Sequence, residues 1–156
     1  YMALQAGKMA MEGKSVQEIL NKLSYISETQ KVYFGVETLD YLKKGGRIKT
    51  TTAVIGGMLD IRPLLTIKDG LVVACDKVKG EKKLLNKIVQ CICDDIGERK
   101  DYKIYVLKSD TSSPYEQLKN QFAEKGFAIE EDNIPVGAVI GSHAGPGVYG
   151  VLAVFD

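Results

Sequence analysis

The sequence is poor in the residue types that build most catalytic and metal centres. Its 156 residues include a single histidine, His143, and three cysteines, Cys75, Cys91 and Cys93. Paired histidines at metal-ligand spacing are therefore absent, and the C-x-C pair has no second pair that would complete a zinc site. We interpret the cysteines as free thiols, which are typical of a reducing compartment.

Other absences narrow the functional class. The 21 basic residues nearly balance the 20 acidic ones, and the formal net charge of +1 gives no field that favours nucleic acid as a partner. No apolar run reaches the ~18 residues of a membrane span, and no signal-like segment opens the chain. We therefore expect a cytoplasmic protein without stable membrane insertion. The phosphate-loop and dinucleotide-binding patterns are missing too, which predicts no nucleotide cofactor.

What is present predicts one α/β domain. The segment Ser15-Val-Gln-Glu18 is a capping box that starts a helix, residues 31–36 alternate as a half-buried strand, and Asp69-Gly70 joins two strands as a hairpin. Residues 50–59 are predicted as a helix, and two final strands are expected at 136–140 and 148–155. The order of elements predicts a two-layer domain, with a mixed sheet of about six strands and helices packed on one face.

Three features could carry chemistry. His143 is predicted where a strand ends in a glycine-rich turn, from which the imidazole could bind a carboxylate or an acyl phosphate, or simply meet a backbone carbonyl. Arg47, in the segment KKGGRI, could clamp an anion or pair with a nearby acid. The segment VIGGMLDI, residues 54–61, could line a slot for an aliphatic ligand or belong to an ordinary core.

The segments LDYLKKGGRI, IGGMLDIRPLLTIKDG and IGSHAGPGVYG, in this order and at these separations, resemble the DegV family of bacterial fatty-acid-binding (FakB-like) proteins. The resemblance covers only the second half of such a protein. It implies that residues 1–30 are a helical segment left from the junction with a missing N-terminal domain, and that 31–156 form the DegV-like C-terminal α/β domain. It also implies an apolar tunnel between the two domains that encloses one long acyl chain.

The resemblance further implies the residues of the site. His143 matches the histidine that holds the acid headgroup, Gly145 and Gly147 turn the backbone to aim it, and Arg47 lies near the mouth of the site. The slot would be lined by four apolar side chains, those of Ile55, Met58, Leu59 and Ile61. No residue is expected to be catalytic and no metal or cofactor is expected, the fatty acid being the bound ligand.

The resemblance implies a lipid-binding protein of phospholipid synthesis that presents its fatty acid to a separate kinase, which carries the chemistry. Two alternatives come from other classes. One is a small hydrolase-type enzyme that uses His143 as its base, and the other is a regulatory domain whose apolar face docks another protein. A fragment that lacks its first domain is also expected to expose an apolar patch and to self-associate.

Overall fold

Helices and strands alternate along the chain in the order expected of an α/β domain. The computed structural model describes residues 1–48, 60–109, 113–130 and 134–155, so the helix expected at 50–59 lies outside the described residues. The helices are α1 (Met2–Met11), α2 (Val16–Thr29), α3 (Asp40–Lys44), α4 (Glu81–Ile96), α5 (Ser113–Glu124) and α6 (Ala138–Ala144). The strands are β1 (Lys31–Gly35), β2 (Ile61–Lys68), β3 (Leu71–Lys79), β4 (Tyr102–Lys108), β5 (Ile134–Pro135) and β6 (Tyr149–Phe155).

Two local signals of the sequence are confirmed. Helix α2 begins with the predicted capping box, in which the Glu18 amide donates to Ser15 Oγ at 3.3 Å and the Ser15 amide donates to the Glu18 carboxylate at 2.9 Å. Strands β2 and β3 form the predicted hairpin. Its two loop residues, Asp69 and Gly70, have φ of 53° and 74°, the left-handed pair that a two-residue hairpin loop requires.

The six strands form one sheet in the order β3-β2-β1-β6-β4-β5. Strands β4 and β5 run parallel, and the other neighbouring pairs are antiparallel, which confirms the predicted mixed sheet. Strands β1 and β6 pair along five residues, from Lys31 opposite Ala153 to Gly35 opposite Tyr149. The two strands expected at either end of the main domain are therefore neighbours in the middle of the sheet.

The main core lies between one face of the sheet and helices α4 and α5, which pack against it. Helix α4 turns an apolar stripe toward the sheet, because apolar residues recur every three or four positions. Its fully or nearly fully buried residues are Leu84, Leu85, Ile88, Val89, Ile92 and Ile96. Helix α5 adds Tyr115, Leu118 and Phe122, and the sheet adds Leu64, Ile104, Val106, Val151, Ala153 and Phe155.

The opposite side of the sheet, which we call the second face, carries Phe34, Leu65 and Val72 because side chains alternate along each strand. The short helices α3 and α6 contact each other, and their residues Leu42 and Ala144 are buried in the same apolar cluster. Two short helices, rather than one long helix, therefore cover this apolar cluster of the second face.

The prediction of a strand at residues 136–140 is wrong. The structure has a two-residue strand, β5, followed by helix α6, which starts after Gly137 and ends at Gly145. A short apolar run fits a strand or a helix equally well by its periodicity. Here the packing of Ala144, which is 4% exposed, beside α3 selects the helix. His143 consequently lies in the last turn of a helix rather than at the end of a strand.

Candidate functional site

An apolar cavity of ≈ 270 Å³ opens on the second face. Its walls come from strands β1, β2, β3, β4 and β6 and from helix α6, so elements that are distant in sequence enclose it. Apolar side chains that line it include Val32, Phe34, Val72, Leu107, Val139 and Ile140. Two basic side chains, His143 and Arg47, line the same cavity. The structure thus brings His143, expected at the acid headgroup, and Arg47, expected near the mouth of the site, to the same cavity.

Helix α6 holds His143 against the end of α3. The imidazole is half-buried, and its Nδ1 is the ring atom nearest to a Cβ placed on Gly45, the residue that follows α3. A Cβ added to Gly45 would lie only 2.5 Å from Nδ1 and 3.4 Å from Cε1. Among the described residues, no side chain or backbone group forms a hydrogen bond with the imidazole. The alternative of a turn histidine bound to a backbone carbonyl stays a prediction.

Arg47 follows α3 and is fixed through its backbone. Its amide donates to the Leu42 carbonyl at 3.1 Å, and its carbonyl accepts from the Val72 amide at 2.8 Å. The side chain is exposed, and its Nη1 donates to the Gly45 carbonyl over 3.5 Å. Within the described ranges the guanidinium has no carboxylate partner. Of the guanidinium donors, Nη1 is the one that meets a partner among the described residues.

Gly145 and Gly147 form the turn from α6 to β6. Their φ angles of 83° and 71° are those of the left-handed region, which glycine adopts without strain. Both also have close neighbours. A Cβ on Gly145 would lie 2.5 Å from the Tyr41 ring, and one on Gly147 would lie 2.6 Å from Glu37. The two glycines lie beside the cavity and shape the turn after His143; their part in ligand binding stays a prediction.

The predicted slot residues are only partly visible. Ile55, Met58 and Leu59 lie outside the described residues. Ile61 begins β2 and lines a separate, more polar cleft of ≈ 510 Å³, together with Arg62. Ile61 therefore lies away from the apolar cavity, and its role as a ligand-lining residue stays a prediction.

Most of the cavity wall was not predicted from the sequence. Val32 and Phe34 were recognised as one face of a strand, but the strand pattern does not say which face meets a core and which meets a cavity. Val139 and Ile140, which are 77% and 61% exposed, line the cavity from α6. They were missed because this helix was not predicted. The alternation in β1 was the one available signal.

The sheet below the cavity is unusually tight at Gly150. A Cβ on this residue would lie 2.5 Å from Phe34 Cβ and 2.6 Å from the Tyr33 carbonyl oxygen. The neighbouring Tyr149 sends its ring into the main core, where burial raises the pKa of the phenol to about 12. Among the described residues, its hydroxyl has no hydrogen-bond partner.

The described residues form neither a metal centre nor a membrane-spanning helix. No group of three histidine, cysteine or acidic side chains there is arranged to hold a metal ion. None of the helices described is both long and apolar enough to cross a bilayer. The arrangement at the cavity can bind an apolar chain and hold an acidic group beside two basic side chains.

Comparison with known proteins gives consistent matches over the whole chain. A family profile described as "Uncharacterised protein, DegV family" matches residues 1–156. The chain is 34% identical over 154 residues to a DegV domain-containing protein of Clostridium acetobutylicum, covering 95% of this chain and 53% of that protein. It is 37% identical over 155 residues to one of Clostridium perfringens, with 96% and 51% covered. The chain spans about half the length of these relatives.

Two solved structures share the fold closely. One is described as fatty acid binding of a DegV family protein from Thermus thermophilus, with a TM-score of 0.89, 35% identity, and 99% of this chain and 56% of that chain covered. The other is a fatty acid binding DegV family protein from Streptococcus agalactiae, with a TM-score of 0.88 and 28% identity, covering 99% and 55%.

Proposed function

Because the chain belongs to the DegV family, we propose that it binds a long-chain fatty acid in the apolar cavity of the second face, with the carboxylate at His143 and Arg47. The observation that carries the proposal is the meeting of these two basic side chains at one apolar cavity. The similar structures from Thermus thermophilus and Streptococcus agalactiae, which are described as fatty acid binding, support it.

Burial of the acyl chain and hydrogen bonds to the carboxylate both favour such a ligand. Each methylene that leaves water contributes ~0.8 kcal/mol, so the acyl chain supplies most of the affinity. The imidazole of His143 and the guanidinium of Arg47 supply the polar contacts, since both can donate hydrogen bonds to a carboxylate. The cavity of ≈ 270 Å³ lies just below the usual range of ligand pockets, which starts near ~300 Å³. A second domain, as the family resemblance implies, would supply the part of the cavity wall that residues 31–156 do not form.

The same proposal assigns the chain a carrier role without chemistry of its own. A separate fatty acid kinase would phosphorylate the bound carboxylate, and the carrier would hold the acyl phosphate in the cytoplasm for phospholipid synthesis. The hydrolase alternative needs a carboxylate or a hydroxyl that is hydrogen-bonded to His143. No such bond is found among the described residues, and the similar solved structures are described as fatty acid binding, so we favour the carrier.

The decisive experiment is mass spectrometry of lipid extracted from the full-length protein that carries these residues. We expect a long-chain fatty acid in near-equal amount to protein. Val139→Glu places a charge at the cavity and should reduce the bound lipid. The matched control is Leu4→Glu, because both side chains are 77% exposed on a helix but Leu4 lies away from the cavity. Equal lipid in both variants, or none in the parent protein, would contradict the proposal.

Exposed apolar side chains at the cavity support a covering partner. Ile67, Val139 and Ile140 are 56%, 77% and 61% exposed and line the same cavity. In the proposed two-domain protein the other domain covers them, and the 156-residue chain alone hides them by self-association. Sedimentation of that chain should show concentration-dependent association. A monomer at all concentrations would count against a second domain that covers this cavity.

A further inference from the structure

We infer that Gly45 is a positioning residue for His143: because it has no Cβ, the Nδ1 edge of the imidazole can lie against the end of α3, and Nε2 is left to meet the ligand. The inference rests on the proposed function, because it specifies how the headgroup site of that function is built. It concerns a residue that lies near the cavity without lining it.

The backbone of Gly45 gives no reason for a glycine. Its φ of −75° and ψ of −7° are right-handed helical values, which alanine adopts readily. The next residue differs. Gly46 has φ of 62° and open space around it, so its glycine is explained by backbone conformation alone. The two adjacent glycines are therefore required for different reasons.

The reason at Gly45 is space. A Cβ there would lie 2.5 Å from His143 Nδ1 and 3.2 Å from the Tyr41 carbonyl oxygen. Real Cβ atoms essentially never approach another heavy atom to 2.5 Å. An alanine at position 45 therefore forces the imidazole, the end of α3 or both to move.

The contact also determines which part of the ring meets the ligand. Nδ1 and then Cε1 are the ring atoms nearest to a Cβ on Gly45, so Nε2 lies farther from this position than either of them. The Gly45 carbonyl also accepts from Arg47 Nη1 at 3.5 Å. One residue without a side chain thus lies between the two basic groups of the proposed headgroup site.

The test is Gly45→Ala with Gly141→Ala as its matched control. Gly141 lies in α6 two residues before His143, and a Cβ there has no neighbour within 4 Å. In the full-length protein we expect Gly45→Ala to lower the affinity for palmitate by about tenfold, as expected for loss of a hydrogen bond to a carboxylate. Gly141→Ala should leave it unchanged. Equal affinities for Gly45→Ala and the parent would overturn the inference.

A double-mutant cycle identifies the route of the effect. If Gly45 acts through the imidazole, adding Gly45→Ala to His143→Ala should cause no further loss of palmitate affinity. An additive loss would show that Gly45 acts elsewhere and would overturn the inference. If the single variant fails to fold, the double variant should fold again, because the ring that clashes has been removed. Failure of both to fold would also contradict the inference.

Nuclear magnetic resonance separates this inference from the proposed function. His143 is the only histidine, so a single set of imidazole signals reports its environment. Without ligand, Gly45→Ala should shift these signals and Gly141→Ala should not. Palmitate should then perturb Nε2 more than Nδ1 in the parent protein. If palmitate does not bind at all, the proposed function fails, while the ligand-free shift still decides the role of Gly45.

Discussion

Substitution of Gly150 by alanine should destabilise the domain at the point where its two central strands meet. Gly150 lies opposite Phe34 in the β1–β6 pair, and the new methyl group would point to the second face. It would meet Phe34 Cβ at 2.5 Å, the Tyr33 carbonyl oxygen at 2.6 Å and Phe34 Cα at 2.9 Å. Two of these three atoms belong to the backbone, so a change of rotamer cannot relieve the contact.

The magnitude follows from two opposing effects. Overpacking of a well-filled site costs about 1 to 3 kcal/mol, and the involvement of backbone atoms places Gly150→Ala near the upper end. Alanine in a strand regains about 0.5 to 1 kcal/mol relative to glycine. The free energy of unfolding should therefore fall by about 2 kcal/mol. For a domain of this size, that corresponds to a decrease in Tm of roughly 4 to 8 °C.

Urea unfolding followed by circular dichroism measures this difference. Gly141→Ala is the control, because the added methyl group lies in open space within α6 and should raise stability by up to about 1 kcal/mol. Gly150→Ala should also bind fatty acid more weakly, since Phe34 lines the cavity. A Gly150→Ala protein as stable as the parent, with an unchanged denaturant dependence, would refute the reasoning.

Four further predictions follow. His143→Ala in the full-length protein should weaken fatty acid binding about tenfold yet still copurify with lipid, because chain burial at ~0.8 kcal/mol per methylene dominates; unchanged calorimetric affinity would remove His143 from the headgroup site. Tyr149→Phe should raise the free energy of unfolding by about 1 kcal/mol, since it removes a buried hydroxyl without a described partner; a clear loss of stability would reveal a partner. Ser15→Ala should cost about 1 kcal/mol in urea unfolding through loss of the helix cap, and an unchanged midpoint would contradict this. Burial raises the pKa of the thiols of Cys75 and Cys91, so iodoacetamide should modify them more slowly at pH 7 than a free thiol and faster as pH rises; rates equal to a free thiol would contradict the shifts.

The fold was predictable where short-range chemistry decides the structure. The capping box at Ser15 and the loop at Asp69-Gly70 depend on contacts within a few residues, and both are confirmed. Helix α4 was predictable because one long apolar stripe meets one sheet. In each case the local pattern and the tertiary packing favour the same conformation.

Only two residues of the candidate site were named from the sequence, and its geometry was not predicted. The motif pointed to His143 and Arg47, and both line the cavity. The sequence did not predict that His143 lies on a helix, because α6 is short and depends on contact with α3, about a hundred residues earlier in the chain. The lack of room for a side chain at position 45 could not be predicted from the sequence either, because the atom that occupies this space belongs to His143, which is also distant in the chain.

The position of β6 also sets an order on the folding of the chain. The hairpin β2–β3 can form as soon as residue 79 is available, because its partners are adjacent in sequence. Strand β1 can pair with β2 on one edge, but its other edge must wait for β6, more than a hundred residues later, and β6 is also the strand that joins β4 to the rest. During synthesis the two parts of the sheet therefore stay separate until residues 149–155 leave the ribosome. Closure of so long a loop is slow, so the unpaired edges of β1 and β4 are the surfaces that need protection from aggregation while the chain is being made.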